Sequence, residues 1–120
     1  MDTQILNKIQ ISLKGASLNL SNEKLLQNDI ATAFEKHNIS FKKEVKLDEK
    51  STVDFMIEDL AIEIKISSKV SAMSIYRQIE KYAKNEKVAA VLLMTSKTMR
   101  MPESVFGKEI YILSLGRTQL

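Results

Sequence analysis

The apolar residues of the chain recur with two different periods, one typical of helices and one typical of strands. A helical period predicts three helices, over residues 3–13, 22–37 and 72–85. Gly15 is expected to end the first helix, and Ser21 is expected to cap the free amides at the start of the second. Each helix has one apolar face, which we expect to pack against a sheet.

Three consecutive strands are predicted after the second helix. The segment 39–47 alternates apolar and polar residues, so its odd-numbered side chains are expected to form one buried face. Residues 52–57 and 60–66 are separated only by Glu58 and Asp59, which suit a tight turn. These two strands are therefore predicted to pair antiparallel.

Two further strands complete the predicted sheet. Residues 88–95 form a largely unbroken apolar run, typical of a central strand that is buried on both faces. Residues 109–115 are predicted as a shorter last strand, after a loop that contains Pro102. The order of elements predicts an α/β fold in which one mixed sheet is flanked by helices, and residues 1–120 are expected to form a single domain.

Composition restricts the chemistry of the chain. It has no cysteine and its one histidine is His37, so thiolate and histidine metal clusters are excluded and any metal would be held by oxygen ligands. No apolar run approaches the ~20 residues that span a bilayer, and the first ten residues lack the pattern of a secretion signal. We therefore expect a cytoplasmic protein that makes no membrane contact. The net charge of +3 gives mild support for an anionic partner such as DNA.

The candidate chemistry lies between Asp54 and Lys65. Glu63 and Lys65 are two residues apart on one predicted strand, so their side chains point to the same face. A hairpin that turns at residues 58 and 59 sets Asp54 opposite Glu63. Two carboxylates and the Ile64 carbonyl could then hold a hard divalent cation, Mg²⁺ or Mn²⁺, beside the Lys65 ammonium.

An aspartate on one strand and Glu-x-Lys on the next resemble the PD-(D/E)XK nuclease superfamily, whose members include restriction-endonuclease-like and Holliday-junction-resolvase-like enzymes. The resemblance covers residues 21–95 approximately and follows the αβββαβ order of that family. It implies a restriction-endonuclease-like fold, Mg²⁺-dependent endonuclease activity on DNA, and a homodimer. Val53 stands where the proline of the family name would be, a substitution that many relatives tolerate.

The same resemblance implies two accessory residues. The family often carries an acid on the leading helix, for which Glu23 is the candidate and Gln27, one turn later on the same face, the alternative. In this family the helix after the motif frequently bears a Gln and an aromatic or basic residue that face the site, a pattern that the stretch Arg77–Tyr82 resembles. Gln78 would contact phosphate or position water. The implied catalytic residues are Asp54, Glu63, Lys65, Gln78 and Glu23, and the implied metal ligands are Asp54, Glu63 and Ile64.

Other interpretations of these residues are open. Glu63 and Lys65 could form a solvated strand face or a structural ion pair, and the helix dipole alone could favour Glu23 near a helix start. Instead of a nuclease, the chain could be a non-catalytic nucleic-acid-binding or protein-interaction module on the same fold. It could also be a partner-dependent nuclease subunit of a toxin or defence system. The nuclease interpretation is favoured because a strand between two helical layers would not present Glu and Lys to solvent.

Overall fold

The computed structural model describes residues 3–116. They form three helices, α1 to α3, over Thr3–Leu13, Glu23–Lys36 and Ala72–Ala83. They also form six strands, β1 to β6, over Lys42–Asp48, Ser51–Ile57, Leu60–Lys65, Ala90–Thr95, Ser104–Val105 and Lys108–Ser114. One mixed sheet contains all six strands in the order β1-β2-β3-β4-β6-β5, which confirms the predicted α/β fold. No helix within residues 3–116 is long and apolar enough to cross a membrane.

The sheet has an antiparallel half and a mainly parallel half. Strands β1, β2 and β3 form a meander, and β2 turns into β3 at Glu58 and Asp59, where the prediction placed the turn. Helix α3 then crosses over to β4, which pairs parallel with both β3 and β6. The short strand β5 pairs antiparallel with β6 and lies in the segment predicted as a loop. A strand of two residues has no periodicity from which it could have been predicted.

Helices cover the sheet on both faces and create two cores. Helices α1 and α2 pack on one face, and the core there includes Ile9, Leu26, Ile30, Phe34, Phe55, Ile62 and Leu92. Helix α3 packs on the other face, with a core that includes Val53, Ile75, Ile79, Tyr82, Val91 and Leu93. All six residues of β4 are buried, because its alternate side chains enter different cores. Each large apolar side chain buried in this way stabilises the fold by about 1.5–3 kcal/mol.

The ends of the first two helices show which capping predictions were correct. Gly15, with a φ of +83°, follows the end of α1 as predicted. The prediction of Ser21 as the cap of α2 is wrong, because the Oδ1 atom of Asn22 accepts the Leu25 N–H at 2.9 Å. Ser21 instead belongs to the preceding turn, in which its N–H donates to Asn19 Oδ1.

The prediction of one continuous buried face along residues 39–47 is also wrong. Ile39 and Phe41 pack in the core beneath α2, whereas Leu47 belongs to the core beneath α3. Between them, Glu44 has a φ of +50°, a left-handed conformation that breaks the alternation of side chains. Buried side chains at the start of this segment therefore lie on the α2 face of the sheet, and those at its end lie on the α3 face.

Candidate active site

Asp54 lies where β2 bends away from β3. The two strands pair in the predicted register as far as Phe55 and Ile62, but the predicted pairing of Asp54 with Glu63 does not form. A regular ladder would next join Val53 to Ile64, but the Ile64 N–H donates to Asp54 Oδ2 at 2.8 Å. Val53 and Phe55 are two residues apart and yet enter opposite cores, so the strand changes faces at Asp54. The Asp54 carboxylate thus accepts the hydrogen bond that a backbone carbonyl of β2 would accept from Ile64 in a regular ladder.

Helix α2 brings two polar side chains to the same edge of β3. Gln27 Nε2 donates to Asp54 Oδ1 at 3.1 Å. Glu23 Oε1 lies 3.4 Å from the Ile66 nitrogen, which donates to it. Both candidates from the leading helix therefore reach this region. Gln27 contacts the Asp54 carboxylate directly, and Glu23 contacts the backbone just beyond β3.

Glu63 points to the other face of the sheet, towards α3, and is only 3% exposed. Its Oε2 atom lies 3.1 Å from Gln78 Nε2 and 3.3 Å from Lys65 Nζ. Its Oε1 atom lies 2.9 Å from the Tyr82 hydroxyl, which is also 3.0 Å from the Thr52 carbonyl oxygen. Gln78 Nε2 donates to the same hydroxyl at 2.8 Å. Each oxygen of the buried carboxylate therefore has a partner, and Lys65 supplies the only positive charge among these contacts.

Burial changes the protonation of these groups. It raises the pKa of Glu63 to about 7, and the charge of Asp54 adds to the rise while Lys65 and Tyr82 oppose it. Burial likewise raises the pKa of Asp54, against the hydrogen bond from the Ile64 amide, which lowers it. The pKa of Tyr82 is raised by burial and by the neighbouring Glu63 carboxylate, so its phenol stays protonated. The Asp54 carboxylate is thus close enough to Glu63 for its charge to raise the pKa of Glu63, and the Lys65 ammonium lowers the pKa of both carboxyl groups.

This donor set fits a hard divalent cation. A carboxylate has about four acceptor positions, so Asp54 and Glu63 retain capacity beyond their protein hydrogen bonds. The Ile64 carbonyl points to the same side of β3 as the Ile64 N–H, towards Asp54, since both backbone groups of a strand residue face one neighbour. No group of three or more His, Cys, Asp and Glu side chains among residues 3–116 is arranged to hold a metal. Mg²⁺, however, commonly takes one or two carboxylates and completes its shell with water and phosphate.

Tyr82 belongs to the stretch after the motif in which the sequence placed an aromatic or basic residue beside Gln78, and it lies one helical turn after Gln78 on the same face of α3. Glu44, by contrast, was not among the residues singled out from the sequence. Glu44 lies on β1 at the level of Asp54 and contributes to raising the pKa of Asp54. Its left-handed backbone leaves no signal in the sequence.

Comparisons of the chain with protein-family models, with curated proteins and with solved structures found no match. The chemistry of this site is therefore inferred from its own side chains: a carboxylate pair, an adjacent ammonium, and an amide and a phenol that hold one of the carboxylates.

Proposed function

We propose that this protein is a Mg²⁺-dependent endonuclease of the PD-(D/E)XK type that hydrolyses phosphodiester bonds in DNA. The observation that carries the proposal is the grouping of Asp54, Glu63 and Lys65 around the point where β2 leaves β3. A purely structural ion pair would need one carboxylate for one ammonium. Here the Asp54 carboxylate raises the pKa of Glu63, and this repulsion between two negative charges favours a further positive charge at the site.

The order of elements supports the same proposal. Helix α2, the meander of β1, β2 and β3, helix α3 and strand β4 follow one another in the αβββαβ order of restriction-endonuclease-like folds. Asp54 lies on β2, and Glu63 and Lys65 lie on β3, as the motif of that family requires. Helix α1 and strands β5 and β6 are additions to this core.

In the proposed reaction, water adds to phosphorus and the bond to one sugar oxygen breaks, which leaves a phosphomonoester and an alcohol. Asp54, Glu63 and the Ile64 carbonyl would hold Mg²⁺ or Mn²⁺, which supplies Lewis-acid stabilisation of the developing negative charge. The Lys65 ammonium orients the attacking water or offsets charge on the phosphate oxygens. Gln78 and Tyr82 fix the two oxygens of Glu63, and Gln27 and the Ile64 amide fix those of Asp54.

The proposal is tested by incubating the purified full chain with supercoiled plasmid, single-stranded DNA, branched DNA and RNA in Mg²⁺, Mn²⁺ or EDTA. The variants are Asp54→Asn, Glu63→Gln and Lys65→Ala, with Glu35→Gln, an exposed position on α2, as the matched control. We expect metal-dependent cutting that each site variant reduces by about 100-fold or more, while the control cuts normally.

Other outcomes would identify the alternative functions. A chain that binds DNA in a salt-sensitive manner but cuts nothing in any metal would contradict the nuclease proposal and favour a non-catalytic module. Activity that appears only after a second protein is added would favour a partner-dependent subunit of a defence system. Cutting that survives Glu63→Gln would show that the activity arises elsewhere.

We also propose that the enzyme acts as a homodimer, since each site cuts one strand and a pair of sites can cut both strands of a duplex in one binding event. Sedimentation velocity of the full chain, alone and with duplex DNA, measures this directly. A chain that makes double-strand breaks while sedimenting as a monomer under both conditions would contradict the dimer.

A further inference from the structure

A basic groove of about 560 Å³ lies between α3 and the turn that joins β1 to β2. Lys50 lines it from the turn, and Arg77 and Lys81 line it from α3. None of the described residues that line the groove is acidic. Hydroxyl groups form much of the remaining wall, from Ser51, Thr52, Ser71 and Ser74.

The cationic side chains of this basic groove form no ion pair within the described part of the chain. The ion pair between Lys65 and Glu63 is the only one within residues 3–116, so the groove cations have no carboxylate partner there. Arg77 and Lys81 are one helical turn apart, a spacing at which like charges destabilise a helix. An anion bound between them would relieve that repulsion.

The basic groove is continuous with the candidate active site. Gln78 and Tyr82 line the groove and also bond to the Glu63 carboxylate, at 3.1 and 2.9 Å. Thr52, on the opposite wall, accepts a hydrogen bond from the Tyr82 hydroxyl through its carbonyl. A ligand that touches Gln78 or Tyr82 in the groove thus touches a residue that bonds directly to Glu63.

We propose that the basic groove binds backbone phosphates of the nucleic-acid strand next to the bond that is cut. The identity of the strand rests on the proposed function, whereas the charge of the ligand follows from the groove itself. Guanidinium groups match phosphate oxygens in a bidentate manner, and hydroxyl groups are common phosphate contacts. Met73, 58% exposed at the rim, adds an apolar surface for a sugar or a base. Met73 lies outside the buried face of α3, which runs through Ile75, Ile79, Tyr82 and Ala83.

The test measures binding separately from cutting. Fluorescence anisotropy follows labelled single-stranded and duplex oligonucleotides in EDTA, over 50 to 200 mM salt, with poly-glutamate as a competing polyanion. The groove variant is Arg77→Ala/Lys81→Ala. The control is Lys14→Ala/Lys36→Ala, which removes the same charge from a different groove, between α1 and α2.

We expect the groove variant to weaken binding about tenfold or more and to reduce the slope of log Kd against log salt by about 1 to 2, whereas the control changes Kd less than about twofold. Equal losses in both variants, displacement by poly-glutamate as effective as by unlabelled oligonucleotide, or no binding by the unmodified chain would each overturn the inference.

Failure of this inference is distinguishable from failure of the proposed function. Groove-dependent binding by a chain that cuts nothing in Mg²⁺ or Mn²⁺ would support the basic groove and overturn the nuclease. Normal binding and cutting by the groove variant would support the nuclease and overturn the role of the groove.

Discussion

The protonation of Glu63 depends on the groups that surround it in the folded protein. As a side chain on an isolated strand it would titrate near its ordinary pKa of 4.5, but in the folded protein its pKa is about 7. Between these values the folded protein keeps a proton that the unfolded chain has released. Stability from this proton is fully present below about 4.5 and is lost as the pH rises through about 7.

Glu63→Gln removes this titration. In EDTA, we expect the free energy of unfolding of the unmodified chain to fall by on the order of 3 kcal/mol between pH 4.5 and 7, relative to the variant. Urea denaturation across this pH range measures the difference, with Glu35→Gln as the control. Parallel profiles of unfolding free energy against pH for the unmodified chain and Glu63→Gln would show that folding does not raise the pKa of Glu63.

Tyr82→Phe tests the phenol that holds Glu63. The hydroxyl lowers the pKa of Glu63, so its removal should move the upper end of the same pH transition above about 7. Removing the hydroxyl also leaves the Thr52 carbonyl and the Gln78 amide with one hydrogen-bond partner fewer. We expect this loss to lower the free energy of unfolding by about 1–2 kcal/mol. Urea denaturation at several pH values measures both effects. The control is Tyr76→Phe on the same helix, and an unmoved transition would exclude a positioning role for Tyr82.

At the scale of elements, the site depends on where α2 begins and where β2 bends. Helix α2 starts at Glu23, directly after its cap, so the cap also positions a candidate site residue. The bend in β2 turns Asp54 into a hydrogen-bond partner for β3. Both features are local, and each can be changed without altering the cores.

Asn22→Ala should cost about 1 kcal/mol of stability, because the first turn of α2 loses its side-chain acceptor. Ser21→Ala is the matched control and should cost only a few tenths of a kcal/mol of stability, since the side-chain hydrogen bond of Ser21 is exposed. Thermal or urea denaturation of both variants decides which residue caps the helix. A larger loss for Ser21→Ala would contradict the assignment.

Asp54→Asn and Asp54→Ala separate the charge of Asp54 from its role as an acceptor. Asn keeps an oxygen for the Ile64 amide, whereas Ala leaves that amide without its partner, at a cost of about 1–3 kcal/mol. Amide exchange at Ile64, followed by NMR, should therefore be faster in Asp54→Ala than in Asp54→Asn. Equal exchange in the two variants would show that the carboxylate does not support β3.

At the scale of the whole molecule, the central strands are shielded by helices on both faces. Strands β3 and β4 lie inside the sheet and between the two cores, whereas β1 and β5 are its edges. The candidate site therefore lies where β3, a central strand between the two cores, is no longer paired with β2.

Hydrogen exchange should follow this arrangement. We expect the slowest amides in β3 and β4, with opening free energies near that of global unfolding, and faster exchange in β1 and β5. Exchange of the full chain, digested with pepsin and analysed by mass spectrometry, measures this. Protection in β1 equal to that in β4 would contradict the expected order.

The sequence alone determined what depends on near neighbours along the chain. Helices α1, α2 and α3 and strands β2 and β3 follow from local periodicity, and a turn of two residues sets the pairing of β2 with β3. The side chains of Glu63 and Lys65 share a face because they are two apart on a strand. These features need no knowledge of the rest of the molecule.

Only the tertiary structure decided what depends on distant contacts. Tyr82 meets the Thr52 carbonyl across 30 residues, and Glu63 is buried because α3 packs over it. The left-handed turn at Glu44 and the bend at Asp54 change the faces of β1 and β2, which alternation along the chain could not reveal. Burial and charge proximity are properties of the packed molecule, so the raised pKa of Glu63 and the basic groove beside it appear only once the helices cover the sheet.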